Sequence, residues 1–245
     1  MTVITMGGLS GGGGRLLGPM VAQRLGADYV DRLILTDVAR IVGATVEALH
    51  QREERLPTRG ERFSRIFQRI LERSAVTGAG GDPYFGPGVA AFLTTEYEDL
   101  PQPTITRGHE LEDEKYIEAI RNVMTDLVPA GDVVIVGRGA YIILKDLPGV
   151  LRVGVVARLE DRIVRIMERE LVDREEATKT VLARDKARAD YFKRFFGIDD
   201  PDAPEAYHLV VNTSDVDLEY ATEMVVQASS ALEEGRLSAP SLVAH

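Results

Sequence analysis

The sequence predicts an α/β fold, a doubly wound, five-stranded parallel sheet with helices on both of its faces. The first reason is that five short apolar runs do not alternate in polarity and are separated by segments with helical periodicity. The second is a glycine-rich segment that joins the first apolar run directly to a helical pattern. The predicted strands are 2–6, 27–30, 132–136, 151–156 and 209–212. In such a sheet, ligands bind beyond the carboxyl ends of the strands.

The helix boundaries follow from the spacing of apolar residues and from residues that cap helix ends. A helix over 15–25 is closed by Gly26, and Asp173, with Glu176 three residues later, opens a helix that extends to about Phe196. Further helices are predicted at 33–42, 62–74, 113–128, 159–171 and 218–232. We expect one domain over residues 1–234 and a disordered tail over 235–245.

Composition excludes several classes of site. The chain has 245 residues, of which 44% are hydrophobic, with no cysteine, four histidines and a net charge of −10. Without cysteine there are no disulfides or thiolate metal sites, and the scattered histidines do not suggest a zinc site, so no protein metal site is predicted. The acidic balance opposes binding to nucleic acid. No apolar run approaches the ~18 residues of a membrane span and no secretory signal is visible, so we expect a cytoplasmic protein without membrane contact.

Residues 7–15 are a candidate anion-binding loop between the first strand and the first helix. Glycines allow backbone N–H groups to turn inward, and the helix N-terminus adds partial positive charge. The standard phosphate loop reads G-x-x-x-x-G-K-[ST]. Gly8 to Gly13 fits its first six positions, but Gly14 stands at the lysine position and Arg15 at the hydroxyl position.

We predict that this loop binds the phosphates of a nucleotide. The alternative is a flexible turn, which would not need the entropy cost of four consecutive glycines. Arg15 would replace the missing lysine, because its guanidinium stays charged and can bind two phosphate oxygens. Ser10 would either contact a phosphate or merely cap the helix. The predicted phosphate-binding residues are Ser10, Gly11, Gly12, Gly13, Gly14 and Arg15.

Two further positions at strand ends carry candidate side chains. Arg138 lies between Gly137 and Gly139 after the most apolar strand, and a lone arginine flanked by glycines at a strand end is a good phosphate ligand. Asp31 and Arg32 follow the second strand. They would contact an acceptor nucleotide or a metal, or else form a local ion pair.

The helix that begins after Asp173 contains a charged segment at 184–194. Such a run commonly lies in solvent, but Arg184 and Arg188 are four residues apart and share one helix side with Tyr191. Phosphoryl transfer needs mobile positive charge of this kind to cover the transferring group and exclude water. A second cluster of arginines, at 158–169, has acidic neighbours and is predicted to be mainly structural. Its members are Arg158, Arg162, Arg165 and Arg169.

Six segments taken together resemble the cytidylate kinase-like family of P-loop nucleoside monophosphate kinases. Their order and spacing extend from residue 2 to about 232, and residues 45–112 match least. The segments are Gly11–Arg15, Tyr29–Arg32, Val134–Ala140, Leu159–Ile163, Asp185–Tyr191 and Leu209–Ser214. Authentic cytidylate kinases have a loop lysine and an aspartate after the Gly-Arg pair, where this chain has Gly14 and Gly139. Kinase-like relatives commonly show the Gly-Gly-Arg loop.

The resemblance implies a P-loop kinase fold with a helical acceptor-region insert at 45–112 and a helical lid at 173–205. It implies transfer of the ATP γ-phosphoryl group to a nucleoside monophosphate, CMP or dCMP first, with Mg²⁺. The segment from Gly11 to Arg15 would hold the donor phosphates. The acceptor would face Asp31, Arg32 and Arg138, and the lid would contribute Arg184, Asp185, Lys186 and Arg188. Asp185 would help to order metal-bound water.

Other functions stay open at this point. A nucleotide-binding regulator of weak activity would keep the loop and lose the lysine, and a kinase of another small acceptor would differ in 45–112. A dinucleotide oxidoreductase is disfavoured because G-x-G-x-x-G fails at Leu16 and Leu17. The amphipathic 62–74 helix would form core or a homodimer interface.

Overall fold

The computed structural model describes residues 2–31, 121, 124, 125 and 127–237. A five-stranded sheet runs through this part of the chain in the order β2-β3-β1-β4-β5. Strand β1 pairs in parallel with β3 and with β4, and β4 pairs in parallel with β5. The strands are β1 Val3–Gly8, β2 Asp28–Val30, β3 Val133–Val136, β4 Val150–Val156 and β5 Leu209–Asn212. The predicted doubly wound parallel sheet is confirmed.

The described helices lie close to their predicted positions. They are α1 Gly14–Leu25, α2 Ala140–Ile143, α3 Leu159–Glu170, α4 Arg174–Phe196 and α5 Leu218–Glu233, with 3₁₀ turns at Val128–Ala130 and Pro204–Ala206. The single-turn helix α2 was not predicted, because four residues are too few to show helical periodicity. None of these described helices is long and apolar enough to cross a membrane. The predicted helices at 33–42 and 62–74, the acceptor-region insert at 45–112, most of 113–128 and most of the tail lie outside the described residues.

Capping residues fix the ends of α1 and α4 as the sequence predicts. Gly26 closes α1 in the left-handed conformation, with φ of 63°. The side chain of Asp173 precedes α4, and its Oδ1 accepts a hydrogen bond of 2.9 Å from the N–H of Glu176. This bond satisfies one of the N–H groups that a helix start leaves without an intrahelical partner. The helix then runs to Phe196 before Gly197 ends it with φ of 67°.

The chain divides into two compact units. The first comprises Met1–Tyr29, Gly131–Arg162 and Asp202–His245, and the second comprises Val30–Ala130 and Ile163–Pro201. In the first unit, buried side chains of the sheet pack with buried residues of α1 and α5, among them Leu17, Val21 and Val225. In the second unit, Ile163 and Ile166 of α3 pack against Ala177 and Val181 of α4. The single-domain extent 1–234 stays a prediction.

Candidate functional site

The glycine-rich segment turns the chain from β1 into α1 in the first unit. The N–H of Gly12 donates to the carbonyl oxygen of Leu9 at 2.9 Å and closes a tight turn. Gly13 precedes α1 with φ of 100°. Its carbonyl oxygen accepts hydrogen bonds of 2.9 Å from the N–H groups of both Leu16 and Leu17. The segment therefore leads directly into the helix, with its backbone set by hydrogen bonds within the turn.

The N-terminal end of α1 has the character of an anion site. No acceptor in the described parts of the chain is bonded to the N–H groups of Gly13, Gly14 or Arg15. The helix has no side-chain cap at this end and no acidic residue in its first turn. The side chain of Arg15 is exposed at the same place. Partial positive charge on the N–H groups and a guanidinium are thus concentrated at one helix end, where an anion is stabilised.

Two buried side chains donate hydrogen bonds to carbonyl oxygens of this glycine-rich segment. The hydroxyl of Thr213 donates to the carbonyl oxygen of Gly12 at 2.7 Å. The Nε of Arg162 donates to the carbonyl oxygen of Ser10 at 2.8 Å. Both side chains are almost fully buried, at 7% and 4% exposure. Arg162 was predicted to be mainly structural with its helix neighbours, and the structure adds that its contact is with the glycine loop.

A polar network orders the turn after β5, next to Thr213. The N–H of Arg158 donates to Ser214 Oγ at 2.8 Å, and the Arg158 guanidinium forms an ion pair with Asp215. The side-chain amide of Asn212 donates to Asp215 Oδ2 at 2.8 Å. These contacts agree with the structural role predicted for Arg158. Residues 212–214 belong to the last segment of the sequence resemblance and Asp215 follows it, but the bonding pattern of this turn had no sequence signal.

Arg138 is buried at the carboxyl end of β3, with only 1% of its surface exposed. It lies between two glycines that also have positive φ, since the angles of Gly137, Arg138 and Gly139 are 89°, 51° and 74°. The N–H of Gly137 donates to the carbonyl oxygen of Met6 at 3.0 Å, so this turn is joined to the end of β1. A non-glycine residue in the left-handed region is uncommon and often marks a functional position. The role of Arg138 as a ligand of the acceptor phosphate stays a prediction.

The other predicted acceptor residues are less fully described. Asp31 is half-buried directly after β2, and Arg32 lies outside the described residues. On α4, Lys186 is exposed and forms an ion pair with Asp190 at 2.6 Å, whereas Asp185 is half-buried. Their roles at a nucleotide stay predictions.

Two of the residues predicted to share one side of α4 are buried, and their predicted role in a lid stays a prediction. Arg188 and Tyr191 are both buried, at 5% and 2% exposure. The guanidinium carbon of Arg188 lies 4.7 Å from the centroid of the Phe192 ring, within cation–π range. The buried side of this charged helix therefore contains an arginine that contacts an aromatic ring.

Arg184 links α4 to α3 within the second unit. Its Nη1 and Nη2 donate to the two carboxylate oxygens of Glu170 at 2.5 and 3.2 Å. Burial raises the pKa of Glu170, but hydrogen bonds and charge from Arg184 and Arg169 outweigh it and hold that pKa below its ordinary value. Arg184 thus has a structural partner in this structure, and its predicted catalytic role stays untested.

We expect Glu170→Gln to lower the free energy of unfolding by about 1–2 kcal/mol at pH 7, because the pair is partly buried. Glu175→Gln is the matched control, since it breaks the exposed Glu175–Lys179 pair and should cost less than about 0.5 kcal/mol. Because the pKa of Glu170 is lower in the folded protein than its unfolded value of 4.5, the ionised carboxylate stabilises the fold at pH values above 4.5. This stabilisation is lost as the pH falls through the folded-state pKa. Denaturant unfolding from pH 7 to pH 3 should therefore show the difference between wild type and Glu170→Gln shrinking on the acid side. A difference that stays constant across this range would contradict the ion-pair assignment.

The described residues do not provide a set of side chains for Mg²⁺. No group of three or more His, Cys, Asp or Glu residues in the described part of the chain could hold a metal ion. The position after Arg15, where a hydroxyl would be an alternative ligand, is the half-exposed Leu16.

Comparison with known proteins gives a family match for this chain. A family model described as the cytidylate kinase-like family matches residues 3–215. A cytidylate kinase from Methanocaldococcus jannaschii is 31% identical over 119 residues, which are 48% of this chain and 66% of that protein. The aligned stretch thus spans just under two thirds of that relative.

Solved structures give the fold. The crystal structure of an uncharacterized protein from Eubacterium ventriosum is similar with a TM-score of 0.56 and 18% identity, over 94% of this chain and 98% of that one. A shikimate kinase from Bacteroides thetaiotaomicron matches over 95% of this chain and 98% of its own, with a TM-score of 0.42 and 13% identity.

Proposed function

The chain belongs to the cytidylate kinase-like family, and on that premise we propose that it transfers the γ-phosphoryl group of ATP to a nucleoside monophosphate, with CMP and dCMP as the preferred acceptors. Family membership supports kinase-like phosphoryl transfer and small nucleotide substrates. The choice of acceptor is supported by the cytidylate kinase to which part of the chain is similar.

One observation carries the donor side of the proposal. The N–H groups of Gly13, Gly14 and Arg15 have no acceptor in the described part of the chain, and they stand at a helix end without acidic residues. Three adjacent donors with a helix dipole behind them suit the oxygens of a polyphosphate. These residues therefore fit ATP, with the backbone holding its phosphates and Arg15 supplying the charge that a loop lysine would give.

The remaining groups have roles that need no covalent intermediate. Arg138 would bind the acceptor phosphate, together with Asp31 and Arg32 after β2. The lid would bring Arg184, Asp185, Lys186 and Arg188 over the bound nucleotides. Arginines neutralise charge on the phosphoryl oxygens, and lid closure excludes water that would otherwise accept the group. ATP supplies the phosphoryl group when bound, and its Mg²⁺ neutralises part of the phosphate charge.

The test is a coupled ADP-release assay with ATP, Mg²⁺ and each of CMP, dCMP, UMP and AMP. We expect ADP release only when an acceptor is present, fastest with CMP or dCMP, and formation of the nucleoside diphosphate. ATP with no acceptor measures background hydrolysis and is the control. ADP release that no acceptor raises above this background would contradict the proposal.

A second function is favoured by one feature, the glycine at the lysine position, Gly14. A protein that kept the phosphate loop and lost turnover would be a nucleotide-binding regulator. Isothermal calorimetry separates the two functions, because tight ATP binding without product in the assay indicates the regulator. Turnover with another small acceptor but none with nucleotides would instead indicate a kinase of that acceptor.

A cytoplasmic location and a homodimer through the 62–74 helix also stay predictions.

We expect Arg15→Ala to weaken ATP binding by about 10- to 100-fold, the range for loss of one or two charge-assisted hydrogen bonds. The exposure of this side chain means that the variant should fold like wild type. Arg24→Ala is the matched control, because it removes an exposed arginine from the other end of α1, where it pairs with Glu219. Calorimetric titration with ATP measures both. Equal affinities for wild type and Arg15→Ala would show that Arg15 does not replace the lysine.

A further inference from the structure

The glycine loop is held by its carbonyl groups. Ser10 and Gly12 each have the carbonyl oxygen bonded to a buried side chain from elsewhere in the first unit, Arg162 and Thr213 respectively. A peptide unit is planar and trans, so its C=O and the following N–H point in opposite directions. Fixing the carbonyl of Gly12 therefore directs the N–H of Gly13 away from Thr213, towards the other side of the loop. The same reasoning applies to the carbonyl of Ser10 and the N–H of Gly11.

These two contacts matter because the loop has little rigidity of its own. Consecutive glycines allow many backbone conformations, and the entropy lost on ordering them is the largest of any residue type. Close packing accompanies the hydrogen bonds. A Cβ atom on Gly13 would lie 3.0 Å from Thr213 Oγ1, and one on Gly11 would lie 2.9 Å from the carbonyl oxygen of Arg162. The loop backbone thus rests directly on both residues.

We propose that Thr213 and Arg162 are positioning residues that preorganise the phosphate loop by holding its carbonyl groups on the side away from the ligand. Neither residue needs to touch the nucleotide. By restricting the peptide planes before binding, they reduce the conformational cost of binding. This inference rests on the proposed function, because the benefit is realised only when a phosphate is bound.

The test uses four variants of the full chain, of which three concern threonines and the fourth is Arg162→Lys. Thr213→Val keeps the shape of the side chain and removes the hydroxyl, whereas Thr213→Ser keeps the hydroxyl. Thr222→Val is the matched control, because the buried Thr222 hydroxyl donates to the Leu218 carbonyl oxygen at 2.8 Å within α5, in the same kind of bond. Two quantities are measured for each protein. They are the hydrogen-exchange rate of the Gly12 amide by NMR without ligand, and the dissociation constant for ATP by calorimetry.

We expect Thr213→Val to raise the ATP dissociation constant and the Gly12 exchange rate each by about tenfold, the equivalent of one hydrogen bond of about 1.4 kcal/mol. Thr213→Ser and Thr222→Val should each leave both the dissociation constant and the exchange rate within about threefold of wild type. The reason is that only Thr213→Val loses the hydrogen bond to the loop. Arg162→Lys, which keeps the charge and loses the Nε donor, should change both quantities in the direction of Thr213→Val.

Two results would overturn the inference. One is wild-type exchange of the Gly12 amide in Thr213→Val. The other is a Thr213→Ser variant as weak as Thr213→Val, which would mean that the hydroxyl is not what holds the loop. The exchange measurement needs no nucleotide. If wild type itself fails to bind ATP, the proposed function is wrong, and the exchange rates alone then decide whether Thr213 restrains the loop.

Discussion

Gly8→Ala is expected to abolish cooperative folding of the sheet-containing unit, or to destabilise it by about 4 kcal/mol or more. Gly8 is the last residue of β1, has φ of 149° and pairs with Val155 in β4. A Cβ atom at this position would lie 2.0 Å from the carbonyl oxygen of Val155 and 3.0 Å from its carbonyl carbon. Because the obstacle is backbone of the adjoining strand, no rotamer change can relieve it. The sheet pairing would have to separate just before the loop begins.

Gly26→Ala separates this clash from ordinary backbone strain. Gly26 also has positive φ, but a Cβ atom there would meet nothing within 4 Å. Its expected cost is about 1 kcal/mol, the strain of placing alanine in the left-handed region. Denaturant unfolding monitored by circular dichroism gives both values. If Gly8→Ala lowers the free energy of unfolding by no more than Gly26→Ala does, β4 does not approach Gly8 as closely as described.

The sequence predicts the fold well where local physics decides it. Strand β5 has its predicted bounds at 209–212, because the apolar run is short and has a polar residue at its end. Helix α4 starts after Asp173 because that carboxylate caps it, and α1 ends at a glycine that takes the left-handed conformation. Each of these signals lies within a few residues of the boundary that it sets.

The contacts that build the site are of another kind. Thr213 and Gly12 are 201 residues apart in the chain, and Arg162 and Ser10 are 152 apart. In the sequence, Arg162 follows Glu160 and Asp161, so local neutralisation is the simplest interpretation of its charge. Which carbonyl a buried guanidinium reaches depends on how the strands are ordered, and a short motif contains no information on that order. The loop itself was predictable, but the residues that hold it were not.

We expect Arg138→Lys to lower kcat/KM for the nucleoside monophosphate by about 100-fold or more and to change the ATP dissociation constant by less than about threefold. Arg138 is buried at the carboxyl end of β3, in a turn bonded to β1 through Gly137 and Met6. Lysine keeps the positive charge and the same positive-φ backbone strain. It cannot reproduce the planar guanidinium that binds two oxygens of one phosphate. The predicted defect is therefore one of geometry, confined to the acceptor.

Arg152→Lys is the control that makes this result interpretable. Arg152 lies on β4, is only partly buried and donates its Nε to the carbonyl oxygen of Ala206 at 2.9 Å. The same chemical change there should alter kcat/KM by less than about threefold, since its partners are backbone carbonyls of the scaffold. Thermal unfolding of both variants shows whether either fails to fold. Should Arg138→Lys keep wild-type kcat/KM, or weaken ATP binding as much as acceptor turnover, Arg138 would be a structural arginine, and the acceptor phosphate would have to be bound by residues after β2 and on the lid.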